Sequence, residues 1–291
     1  ENLKDIIEVM PLSWILLGTG AEIASCWRRG YRLKFIIQQN NRSFSVWRGI
    51  LIVMAATSIG LVAGGWVSYA AASIYLASKE NHVPGTASPA GVIPSIFHMG
   101  LLVLTTITGI FYLLLNHEIS EAQLIFYGFF LLIVCLGVVI MIYGLFQRQQ
   151  MIRAILWVAQ KLRRFKTFDL KRVQENIEAG YPLISLIDRK RWIQIGLGSL
   201  LWTFLDLLSL YFFFVAAGYP IKPGVLTAGY SIAFILGKAA FFAPGGAGII
   251  ESSMAAIFYN LGIPYHFSTI AILGYRLVSF WIPGALGFAA L

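Results

Sequence analysis

Five ionisable residues sit inside apolar stretches of this 291-residue chain: Glu22, Asp206, Lys238, Glu251 and Arg276. At the centre of a bilayer each would cost roughly 2.5–3.5 kcal/mol, so each needs a partner or a water-filled cavity. Glu251 is expected to pair with Arg276 or Lys238, either to staple two helices together or to serve transport. Asp206 lies deep in its segment and is expected to be buried. Glu22 lies one turn from Cys26, Trp27 and Arg28 and is read as near a membrane interface.

Between Lys238 and Glu251 runs the most specific local feature, Pro244, Gly245, Gly246, Ala247 and Gly248. Proline ends a helix, and the glycines permit a tight turn with positive φ. A helix starting near Ile249 would present unpaired N–H groups and a positive dipole end. Such an end binds anions, phosphate included, and Lys238 lies close enough upstream to reinforce it. A packing turn without a ligand is the alternative. Gly64 and Gly65 repeat the pattern more weakly, without a proline or a nearby charge. His98 stands on an apolar segment with no acid or cysteine beside it and reads as a packed, satisfied histidine. No zinc, P-loop or nucleophile-elbow motif is present. The two cysteines, Cys26 and Cys135, form no metal or disulfide framework. No cofactor, no metal and no enzymatic activity are therefore expected.

The elements that would carry these residues are membrane helices. The chain is 58% hydrophobic and 12% charged, about half the charge a soluble domain needs. Apolar segments run over 11–26, 50–77, 92–115, 123–146, 193–217, 226–242, 249–261 and 268–291, many of them near the length that spans a bilayer. Trp14, Trp27, Trp47, Trp192 and Tyr219 fall near segment ends, as an interfacial belt requires. The expected fold is an all-α, polytopic transmembrane bundle forming one integral domain in the cell membrane.

The net charge of +9 is read as membrane topology, not nucleic-acid binding. One acid-free basic cluster holds Arg28, Arg29, Arg32, Lys34, Arg42 and Arg48. A second fills the loop at 147–191, where 152–165 reads as an amphipathic surface helix. Both belong in the cytoplasm by the positive-inside rule. The loop at 116–121, with Glu118 and Glu121, belongs outside. A single crossing at 50–77 would violate this twice. A re-entrant or broken hairpin turning at Gly64 and Gly65 satisfies it. The same logic makes 226–261 a second hairpin. Two repeats then emerge, about 11–115 and 193–291, joined by a helix at 123–146 and the basic loop, with opposite orientation. That is an inverted repeat, and its broken helices point to the binding site. Asn41, Arg42 and Ser43 form a glycosylation sequon, discounted in a cytoplasmic loop. Gly196 and Gly198 are candidates for helix packing within or between chains. Beginning at Glu1 and ending in an apolar run, the chain reads as part of a longer protein.

The residues FAPGGAGIIE (242–251), LGIP (261–264) and YRLVSFWIPGALGF (275–288) resemble the transmembrane region of lysylphosphatidylglycerol synthases and related flippase-like proteins. Pro244, Gly245, Gly246, Gly248, Glu251, Gly262, Tyr275, Arg276 and Pro283 occupy the family pattern. The first half departs from it: LVAGGWVSYAAASIY lacks the charge that often follows the glycines. No soluble aminoacyl-transferase domain is present, so transferase activity is not carried over. The resemblance implies moving or holding anionic, aminoacylated or polyprenyl-linked lipids. Three functions stay open: a lipid translocase without ATP hydrolysis, an ion-coupled small-solute transporter using Asp206 and Glu251, and a non-transporting lipid-binding scaffold for a partner enzyme. A homo-oligomer is compatible with each.

Overall fold

The computed structural model describes residues 10–37, 44–63, 88–116, 121–147, 188–240 and 244–289. Gly64, Gly65, the sequon and the expected surface helix lie outside the described residues.

The described residues are all-helical. α1 spans Leu12–Ile37, α2 Val46–Ala63, α3 Ser88–Leu115 and α4 Glu121–Phe146. α5 spans Arg189–Ala216, α6 Pro223–Ala239, α7 Ile249–Asn260, α8 Tyr265–Arg276 and α9 Ile282–Ala289. Among the described residues three stretches are long and apolar enough to cross a membrane: Phe97–Leu115, Arg189–Ala216 and Tyr265–Ala289. α4 turns Ile125, Phe126, Phe129, Leu132 and Leu136 outward, all well exposed. An apolar helix with its side chains unburied belongs against lipid.

Helix ends follow local chemistry. Asp188 caps α5 by accepting the Arg191 N–H at 3.1 Å. Pro223 opens α6, where its missing N–H costs nothing. α5 and α7 both stop at a glycine in the left-handed region, Gly218 and Gly262. In each case the next residue bonds back, Tyr219 N–H to Phe214 O and Ile263 N–H to Phe258 O, both at 3.0 Å. This is the Schellman ending, and Pro220 or Pro264 then bars continuation. The LGIP step is thus a helix stop.

Two sequence boundaries shift. The first apolar segment was expected to end at Cys26, but α1 continues to Ile37 and carries Arg28, Arg29, Arg32 and Lys34 as helical residues. The last segment is broken. Pro283 cannot donate to the Ser279 carbonyl, and the turn Leu277–Trp281 opens into a π-helix.

α1 and α5 make the most extensive contact, followed by α3 with α6. Their residues meet in reverse order, so α1 and α5 run antiparallel. Ser209 Oγ donates to Gly18 O at 2.9 Å, Ser25 Oγ to Asp206 Oδ1 at 2.6 Å, and Arg32 Nη1 to Ser199 Oγ at 3.0 Å. Positions 18, 25 and 32 step by one heptad, as in a left-handed helix pair. Polar bonds of this kind join helices where water supplies no hydrophobic drive. The apolar core lies between α3, α5, α6, α7 and α8, around Leu102, Phe214, Tyr230, Met254, Phe258 and Tyr275.

Candidate functional site

α6 and α7 have 17 and 12 residues. At 1.5 Å per residue α7 is about 18 Å long, short of a bilayer's hydrocarbon width of about 30 Å. The turn between them holds Gly245, Gly246 and Gly248 at φ of 58°, 70° and 80°. L-residues rarely adopt this region. At Gly245 a β-carbon would also strike the Phe280 ring. The 3₁₀ turn Pro244–Gly246 packs against α2, the described arm of the first expected hairpin.

Glu251, three residues into α7, is the centre of this turn. Its Oε2 accepts the Gly248 N–H at 2.8 Å, so the side chain caps its own helix. Its Oε1 accepts Arg276 Nε at 2.6 Å. Of the two partners expected for Glu251, the structure selects Arg276. That guanidinium is 2% exposed and stacks 4.1 Å from the Phe280 ring centroid. The π turn is what brings Phe280 to it. Arg276 Nη2 is buried without a hydrogen-bond partner. One arm of the arginine is therefore paired and another is unused.

Lys238 does not join this group. It makes no hydrogen bond or ion pair among the described residues, and its electrostatic neighbour is His98 on α3. His98 is buried and stacks on Trp202 at 4.0 Å, yet its Nδ1 lacks a partner. The expectation of a satisfied histidine is corrected to a packed but unsatisfied one.

A second polar group lies along the α1–α5 seam. Asp206 is buried as expected. It accepts Ser25 Oγ on one oxygen and Tyr230 OH, at 3.1 Å, on the other. Glu22 is only 3% exposed. Arg29 Nη2 donates to Glu22 Oε1 at 2.8 Å. Glu22 lies within electrostatic reach of both Asp206 and Arg276. Tyr275 is 1% exposed, with its ring centroid 6.4 Å from that of Tyr230. The two groups therefore meet around Arg276 and Tyr275, where α1, α5, α6 and α8 converge.

Ser25, Arg29 and Tyr230 were not singled out from the sequence. Glu22, Ser25 and Arg29 are spaced i, i+3, i+7, one face of a helix, and that spacing is a usable signal. Tyr230 offered none, because only tertiary packing brings it to Asp206.

A family model described as the lysylphosphatidylglycerol synthase TM region matches residues 1–287. The chain is also 24% identical over 142 residues to a UPF0104 membrane protein of Methanothermobacter thermautotrophicus. That match covers 46% of this chain and 41% of the relative.

Proposed function

The chain belongs to the lysylphosphatidylglycerol synthase TM region family, and from that premise we propose that this multi-pass membrane protein is a lipid translocase working without ATP hydrolysis. Its substrates in this reading are lipids with anionic, aminoacylated or polyprenyl-linked phosphate head groups. The observation that carries the reading is Arg276. It is a buried cation beside a broken helix pair, with one nitrogen on Glu251 and another unpaired.

An arginine fork binds phosphate through parallel N–H donors. The unused Nη2 would take a phosphate oxygen while Nε stays on Glu251. Glu251 would hold the guanidinium in place and accept from an amino group on the head group. Gly245, Gly246 and Gly248 keep side chains away from that spot, and Pro244 starts the turn. Tyr275 and Asp206 would line its inner wall. Lys238 contributes an unneutralised positive charge on the His98 side instead of partnering Glu251. Rocking of one repeat against the other would then expose the site to each leaflet in turn.

The test is head-group translocation in proteoliposomes, comparing wild type with Glu251→Gln and Arg276→Ala. Wild type should accelerate one lipid class, and both variants should lose that movement while retaining a cooperative thermal transition. Full transport by both folded variants rejects the site. A second reading, an ion-coupled transporter of a small polar solute, is favoured by the adjacent Glu22 and Asp206 carboxyls. Solute uptake driven by a proton gradient, with no lipid movement, would select it. Lipid binding without any transport would select a scaffold.

A further inference from the structure

We propose that the crevice between α1 and α5, at their basic ends, is a separate anion site that takes a phosphate-bearing group on Arg28 and Arg32. The crevice encloses about 220 Å³ and is lined by Arg28, Tyr31, Arg32 and Phe35 of α1, with Gln194 and Gly198 among the α5 residues. The four α1 positions recur at i, i+3, i+4 and i+7, so one helix face presents two guanidinium groups and two rings.

Among the described residues no carboxylate lines this space. Further along the same seam Arg29 is paired with Glu22. Arg28 has no such partner among the described residues. It lies 5.5 Å from the Tyr31 ring centroid, and its Nε is buried without a hydrogen bond. An anion in the cavity would supply the partner that the Arg28 guanidinium lacks. Arg32 is held in place by Ser199 and lies 4.9 Å over the Trp202 ring.

Gly198 is what lets Arg28 lie against α5. A β-carbon there would stand 3.0 Å from Arg28 Nη2. Gln194 adds a side-chain amide near the positive N-terminal end of α5. Tyr31 and Leu197, at the rim, are 44% and 58% exposed. Arg189, Lys190, Arg191 and Trp192 precede the crevice on α5, a composition that marks a membrane interface. Paired arginines with an apolar rim suit a lipid phosphodiester, and the same donors suit free phosphate. This site is independent of the translocation reading, because Glu251 and Arg276 take no part in it.

The test titrates the whole 291-residue chain in zwitterionic detergent with short-chain phosphatidylglycerol, short-chain phosphatidylcholine and inorganic phosphate. Phosphatidylglycerol should bind wild type better than phosphatidylcholine does. Arg28→Gln should weaken phosphatidylglycerol about tenfold. Gly198→Ala should weaken it without removing a charge. Lys34→Gln, on α1 but outside the crevice, should bind as wild type. Inorganic phosphate that binds and competes with the same dependence on Arg28 supports the site with free phosphate as its source. Lipid binding that phosphate does not displace supports it with a head group as its source. Absence of anion binding to folded wild type overturns the proposal. So does unchanged binding in both Arg28→Gln and Gly198→Ala, or an equal loss in Lys34→Gln, which would indicate diffuse surface charge. If Arg28→Gln fails to fold, Gly198→Ala against Lys34→Gln decides.

Discussion

The α1–α5 seam and the turn between α6 and α7 both bury charge, and they hold it in different ways. In the seam, Asp206 collects donors from α1 and α6, and Glu22 collects Arg29. The Asp206 partners come from other helices, Ser25 181 residues away in sequence, whereas Glu22 and Arg29 share one face of α1. At the turn, Glu251 is held by its own helix terminus and by Arg276, and it keeps 15% side-chain exposure. In the seam Asp206 ties α1, α5 and α6 together. The turn is a compact pair with a spare donor. A network of the first kind locks a fold, whereas the second kind can exchange one partner for a ligand.

That contrast breaks if Asp206→Ala proves mild. The substitution strands Ser25 and Tyr230 and removes a charge from beside Glu22 and Arg29. Breaking a buried ionic network by deleting one member costs about 3–5 kcal/mol, and thermal unfolding in detergent should show a loss of that size. Gly245→Ala comes next, at about 1–3 kcal/mol, because it forces positive φ on a residue with a β-carbon. It also presses on Phe280, so Phe280→Ala should recover the steric part and leave the backbone part, as a double-mutant cycle would resolve. Glu251→Gln should cost only about 1 kcal/mol, because an amide oxygen can still accept from Gly248 or Arg276. Its transport loss should therefore far exceed its stability loss, which sharpens the division between the two regions. A neutral bond sets the baseline. Thr106 Oγ1 donates to Ser231 Oγ at 2.8 Å between α3 and α6, and Ser231→Ala should cost about 0.6 kcal/mol in the same assay.

Much of the turn was legible because its chemistry is local. Pro244, the glycines and Glu251 occupy one short stretch, and each has a conformational reason to be there. That Glu251 pairs with Arg276 or Lys238 was legible for a similar reason: few charges are available inside hydrocarbon, and each must find another. The seam was harder to read. Asp206 was known to need a partner, but Tyr230 lies on a different helix and Ser25 lies 181 residues away in sequence. The π turn was missed although Pro283 signalled it, since a lone proline in an apolar run does not say how the helix will accommodate it.

By itself the sequence determined that this is an all-helical, multi-pass membrane protein with a Pro–Gly turn and a few charges set in apolar stretches. Composition, segment length and Pro–Gly punctuation act along the chain and need no fold to be read. Only the tertiary structure decided that Glu251 takes Arg276 and leaves Lys238 to His98. It alone joined Ser25 and Tyr230 to Asp206 and laid Arg28 on Gly198. Those choices depend on which helix faces meet and how closely, and packing sets that geometry.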